Sequence, residues 1–75
     1  MSEAKTTYRQ EGYDGKAYDI CEYHGATPVF WYKGYYDYRT NRFTLYPKTA
    51  VVKGERRDKK SIDARHVLRG GKPNV

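Results

Sequence analysis

The sequence predicts a mainly β fold: a small curved antiparallel sheet, or an SH3- or OB-like barrel, of four to five short strands with a short C-terminal helix. Three observations carry that prediction. Aromatic residues crowd the run Val29–Tyr38, and such side chains suit a pleated, half-buried surface. Gly, Pro, Asp and Asn interrupt the chain at short intervals, at Asp14-Gly15, Gly25 to Pro28, Asn41, Pro47 and Gly54. Only residues 61–69, close to the C-terminus, combine a capping residue with a helical charge pattern.

In chain order, Met1 to Thr7 is polar and without apolar periodicity, so a flexible N-terminal arm is expected. A single domain over 8–69 follows, and 70–75 is expected to be a flexible tail. Asp-Gly tolerates positive φ at both positions, and Asp14-Gly15 therefore predicts a hairpin joining Thr6–Gln10 to Lys16–Tyr23. In its second strand Tyr18, Ile20 and Glu22 share one face, with Ala17, Asp19, Cys21 and Tyr23 on the other.

His24 to Pro28 reads as a turn, and the strongest strand comes next. Its alternation puts Phe30, Tyr32, Tyr36 and Tyr38 on one face, and Val29, Trp31, Lys33, Tyr35 and Asp37 on the other. Gly34 breaks the first row and is expected at a bulge or sharp bend. Arg39-Thr40-Asn41 makes a polar turn, and Arg42–Tyr46 resumes strand alternation until Pro47 ends it or places it at an edge. Ala50–Lys53 reads as a further short strand stopped by Gly54, and Glu55–Lys60, with no apolar residue, as an exposed loop. Ser61 is expected to cap a helix reaching Leu68. Asp63 in its first turn and Arg69 at its end suit the dipole, and Gly70-Gly71 stops it.

A chain of 75 residues buries only about 60% of the surface its unfolded form exposes, which leaves one small core and no deep catalytic cleft. Cys21 is the only cysteine, so an intramolecular disulfide is excluded. Cys21, His24 and His66 fall short of the roughly four ligands a zinc site takes, and neither metal nor cofactor is expected. Self-association as a homodimer is the remaining support for so small a domain. Met1–Lys16 has no apolar signal core, and no stretch approaches the roughly 20 apolar residues of a membrane span. A cytoplasmic protein with no membrane partner is the expectation.

The formal charge of +6 favours polyanionic partners, and its distribution sharpens the point. Residues 1–27 carry a net −2, residues 28–52 a net +3, and residues 53–75 a net +5. The basic tract Lys53, Arg56, Arg57, Lys59, Lys60, Arg65, Arg69 and Lys72 could replace condensed counterions along a phosphate backbone. Its arginines add bidentate phosphate contacts. Glu55, Asp58 and Asp63 within it are equally what a solvated, solubilising surface would contain. Trp31, Lys33 and Tyr35 share one strand face, with Arg39 and Arg42 just beyond. Aromatic rings beside cations make stacking platforms for unpaired bases. The competing reading is core: with so few Ile, Leu and Val, most rings must pack inside.

Enzymatic chemistry is not expected. Cys21 and His24 lack an orienting third group, and a strand would set them on opposite faces. Gly12-Tyr13-Asp14-Gly15 lacks the spacing and the Lys-Ser/Thr of a phosphate-binding loop. The leading expectation is a small, basic, non-enzymatic module that binds DNA or RNA through the basic C-terminal third and exposed aromatics. The alternative is a modulator or inhibitor of a larger, nucleic-acid-processing enzyme that docks on an acidic protein surface.

Overall fold

The computed structural model describes residues 5–69. Six strands follow one another: β1 Thr6–Tyr13, β2 Tyr18–His24, β3 Thr27–Asp37, β4 Arg42–Ala50, β5 Lys60–Asp63 and β6 Val67–Arg69. They form one sheet in the order β5-β4-β3-β2-β1-β6, curled into a half-barrel. Strands β1 to β5 pair antiparallel with their chain neighbours, and β6 pairs parallel to β1. β5 and β6 lie at opposite edges of the sheet, yet only the 3-10 turn Ala64–His66 separates them. Three residues reach about 10 Å at most. The two edges must therefore approach each other, and the curl brings them together.

Local chemistry sets the hairpins. Asp14 Oδ1 accepts the backbone N–H groups of Lys16 and Ala17, both at 2.9 Å, while Gly15 takes a φ of +99°. At the other long hairpin Asn41 sits at φ 56° and donates its N–H to the Asp37 carbonyl at 2.8 Å. Asp and Asn supply such turns because their short side chains bond nearby backbone and tolerate left-handed φ.

Curvature comes from places where pairing skips a residue. Glu11 is skipped between Gln10 and Gly12, Val29 opposite Glu22–Tyr23, and Lys48 between Pro47 and Thr49. Each extra residue bends its strand and increases the twist. The step at Val29 lets consecutive residues Val29 and Phe30 both enter the core. The bulge expected at Gly34 is not found there, since Gly34 pairs in register with Tyr18 and Leu45. Glycine is required for space instead: a Cβ at this position would lie 2.8 Å from Ile20 Cγ1 and 3.1 Å from Leu45 Cδ2.

The core fills the concave side. Ile20, Val29, Phe30, Tyr32, Phe43 and Leu45 form it, with Tyr8, Tyr18, Ile62 and Val67 packed against them. Aromatic rings do much of the filling, as expected of a chain poor in aliphatics.

Three expectations are corrected. The C-terminal helix is absent: Ser61–Leu68 instead forms the end of β5, the 3-10 turn and most of β6. A helix barely two turns long cannot offset its own nucleation. As strands, the same residues gain ladders to β4 and β1 and place Ile62 opposite Phe43 and Val67 opposite Tyr8. Asp63, not Ser61, caps the turn by accepting the Arg65 N–H at 2.9 Å. The strand expected over Ala50–Lys53 is likewise absent. Ala50 ends β4, and the N–H groups of Val51 and Val52 both turn to the Val29 carbonyl, at 2.9 and 3.3 Å. Finally, the arm expected over 1–7 gives up Thr6 and Thr7, which open β1 opposite His24 and Tyr23.

Pro47 lies inside β4 where β5, paired only to Arg42–Leu45, no longer covers it. That stretch is an edge, where a missing N–H is tolerated. Gly70, Gly71, Lys72 and the tail fall outside the described residues.

Candidate functional site

Among the described residues the basic tract does not form one surface. Arg57 turns inward to Glu22, a β2 carboxylate that is only 3% exposed. Glu22 Oε1 accepts from Arg57 Nε at 2.9 Å and from the Tyr32 hydroxyl at 2.6 Å. Its Oε2 accepts from Arg57 Nη2 at 3.1 Å and lies 2.9 Å from His24 Nε2. Burial pushes the Glu22 carboxyl upward, but the hydrogen bonds from Arg57, Tyr32 and His24 together outweigh it and hold the group down to about 2. Arg57 also pairs with Glu55 and lies over the Phe30 ring, 5.4 Å from its centroid. Its charge serves the fold.

Lys60 is withdrawn too. At the start of β5 it crosses the gap between the sheet edges, and its Nζ donates to the Tyr8 hydroxyl at 3.1 Å. The same ammonium lies 5.5 Å from the centroids of Tyr8 and Tyr32. Arg42 is pinned across strands, with Nε donating to Ser61 Oγ at 2.8 Å and Nη2 to the Ser61 carbonyl at 2.9 Å.

What stays outside is divided between two faces. On the convex side of β3 and β4, Lys33 stands opposite Tyr46, and Tyr35 meets Tyr46 edge-on at 5.6 Å between centroids. Lys59 Nζ, from the loop before β5, sits 5.5 Å from the Tyr46 centroid. Lys33, Tyr35 and Tyr46 line a shallow depression of ≈ 330 Å³. Asp19, Trp31, Lys48 and Thr49 line another of ≈ 320 Å³. Lys53, Arg56 and Lys59 are exposed on the loop beside this face. Tyr46 and Lys48 belong to the cluster but were not among the residues the sequence singled out. Tyr46 is legible in the sequence, since period-two alternation puts it on one face with Thr44, but the skip at Lys48 leaves no local sign of the face that it joins.

The second face is the concave mouth at the end carrying the Asp14-Gly15 and Asp37–Arg42 turns. Arg65 and Arg69 line it together with Gln10, Tyr18, Tyr36, Asn41 and Phe43, around a volume of ≈ 300 Å³. Arg65 is held by Asp63 through contacts of 3.1 and 3.0 Å, and the guanidinium keeps the Asp63 carboxyl well below the usual carboxylate range. Between the two faces, Arg39 and Tyr38 project from the tip of the β3–β4 hairpin, Tyr38 being 78% exposed.

Cys21 is wholly buried, and desolvation pushes its thiol up, away from the reactive thiolate. Among the described residues no three His, Cys, Asp or Glu side chains gather in a geometry that could hold a metal ion. No helix of the described chain is long and apolar enough to cross a membrane. Compared with protein-family models, curated proteins and solved structures, the chain matches none of them.

Proposed function

We propose that the protein is a non-enzymatic nucleic-acid-binding module that takes an unpaired strand across the convex face of β3 and β4. The observation that carries this reading is the interleaving of exposed rings and ammonium groups there: Lys33 opposite Tyr46, Tyr35 against Tyr46, and Lys59 over the same ring. Stacking on such rings is worth roughly 1–3 kcal/mol per base and tolerates any sequence, while the lysines meet the phosphates. Unpaired bases can reach these rings, whereas the stacked bases of a duplex cannot, so a duplex would meet only the cations. Arg57, Lys60 and Arg42, engaged within the protein, have no part in the contact. Lys53, Arg56 and Lys59 on the adjoining loop extend it.

The test is a binding titration against single-stranded and duplex DNA and RNA at several salt concentrations. Affinity that favours single strands and falls steeply with salt is the expected result, and affinity indifferent to salt would refute it.

A second reading, a protein-binding modulator with an acidic partner surface, draws on Val51 and Val52, which are 46% and 39% exposed beside the basic loop. Apolar residues next to cations suit a protein interface. Under this reading a partner would stay bound through nuclease treatment and moderate salt, and the isolated protein would ignore naked oligonucleotides.

A further inference from the structure

The concave mouth is the other feature that the strand-binding reading leaves unused. Three rings line it, Tyr18, Tyr36 and Phe43, and a fourth, Tyr13, packs on the first. Tyr13 stacks on Tyr18 at 4.3 Å, Tyr18 meets Phe43 edge-on at 5.4 Å, and Phe43 meets Tyr36 at 5.3 Å. Phe43 is core and Tyr18 half-buried, but Tyr36 is 44% exposed, so the rings rise from the floor to one wall. Two amide side chains, Gln10 and Asn41, face the same space. The Tyr36 hydroxyl donates to Asn41 Oδ1 at 2.7 Å, which fixes that amide and leaves its NH₂ as a donor. Arg69 stands opposite Gln10 on the β6 side, and Arg65, within the 3-10 turn before β6, lines the same volume.

A ring on which a heterocycle can stack, amides that can bond its edge, and a guanidinium within reach of its phosphate make up the recognition set for one nucleotide. A volume of ≈ 300 Å³ lies at the small end of ligand sites. We propose that the mouth of the half-barrel holds a single unpaired nucleotide. Its base lies against Tyr36 within reach of Asn41 and Gln10, and its phosphate lies on Arg69, with Arg65 contributing the guanidinium edge that Asp63 leaves open. The nucleotide comes either from solution or from the strand on the convex face. The second source rests on the strand-binding reading: the β3–β4 tip, with Tyr38 and Arg39, is where the two faces meet, and a strand turning over it would deliver its end to the mouth.

Two measurements test the pocket and separate the sources. In the first, the labelled protein is titrated by NMR with adenosine and uridine 5′-monophosphates, with inorganic phosphate, and with adenosine. Saturable shifts of the Gln10 and Asn41 side-chain amides with the monophosphates, larger than with phosphate or nucleoside alone, support the site. Equal shifts with phosphate alone would reduce it to an anion contact, and shifts elsewhere or none would overturn it. In the second, short single-stranded oligonucleotides are bound to Tyr36→Leu, Tyr36→Phe and Arg69→Gln variants. If a strand enters the mouth, Tyr36→Leu and Arg69→Gln each weaken binding roughly tenfold while Tyr36→Phe retains it. Oligonucleotide affinity unchanged in all three would overturn entry by the strand and leave the convex-face reading standing. Monophosphate binding without any oligonucleotide binding would do the reverse, keeping the pocket and removing the strand reading.

Discussion

Burying a carboxylate costs several kcal/mol unless its oxygens are filled, and Glu22 fills both. Arg57, Tyr32 and His24 surround it, so a residue on β2, one on β3 and one on the loop before β5 are tied to a single group. Because its folded value of about 2 lies below the ordinary 4.5, this contribution is present above the ordinary value and is lost as pH falls from about 4.5 toward 2. Urea midpoints measured from pH 6 down to pH 2.5 should fall by the equivalent of about 3 kcal/mol across that window. Glu22→Gln should flatten the dependence. Glu22→Ala should be worse at neutral pH, costing about 3 kcal/mol out of a total stability of about 5–15 kcal/mol, because it leaves Arg57 with Glu55 alone and the buried Tyr32 hydroxyl without its acceptor. By contrast, removing the exposed Lys53 should leave the thermal midpoint unchanged within error, because among the described residues no side-chain hydrogen bond or ion pair engages it.

At the scale of elements, the sheet depends on close approach at one place and on a short link at another. Gly34 lets β3 pass between the side chains of Ile20 and Leu45, and the Cβ of an alanine would sit inside contact distance of both. Gly34→Ala should therefore destabilise by about 1–3 kcal/mol, read as a lower urea midpoint with an unchanged slope. At the link, Asp63 both caps the 3-10 turn and grips Arg65. Asp63→Ala should lower the urea midpoint, and amide exchange should rise first in β6, which among the described strands has β1 alone as a neighbour. The segment 61–69 could be read as a helix because its local signals, Ser61 and Asp63 near the start and Arg69 at the end, agree with one. Those signals are worth tenths of a kcal/mol each, and two strand ladders with burial of Ile62 and Val67 exceed them.

For the whole molecule, charge is distributed by what the fold consumes. Arg57 and Lys60 go to the interior, and Arg42 and Arg65 to Ser61 and Asp63. Lys33, Lys48, Lys53, Arg56 and Lys59 remain on the convex face and its loop. If these five meet the phosphates of a single strand, log affinity should fall against log salt with a slope of about −3 to −4. Replacing Lys33 and Lys59 with Ala should bring the slope nearer −2, whereas Arg57→Ala should change stability and leave the slope of the folded fraction alone.

The sequence alone determined that this is a mainly β protein with an aromatic core, a tight Asp-Gly turn, a strongest strand at Val29–Tyr38 and a charge excess toward the C-terminus. Period-two alternation and turn chemistry are local, and they are written in neighbouring residues. Which cations remain available was decided only by the tertiary structure. Arg57 and Arg56 are adjacent and chemically alike, yet one meets Glu22, 35 positions away, and the other meets water. Long-range pairing also converted the expected helix into β5 and β6. The skips at Glu11, Val29 and Lys48 have no local signature, so the curl that creates the concave mouth could not be foreseen. The face of each aromatic residue follows from alternation; whether that face meets core or solvent follows from how the sheet closes on itself.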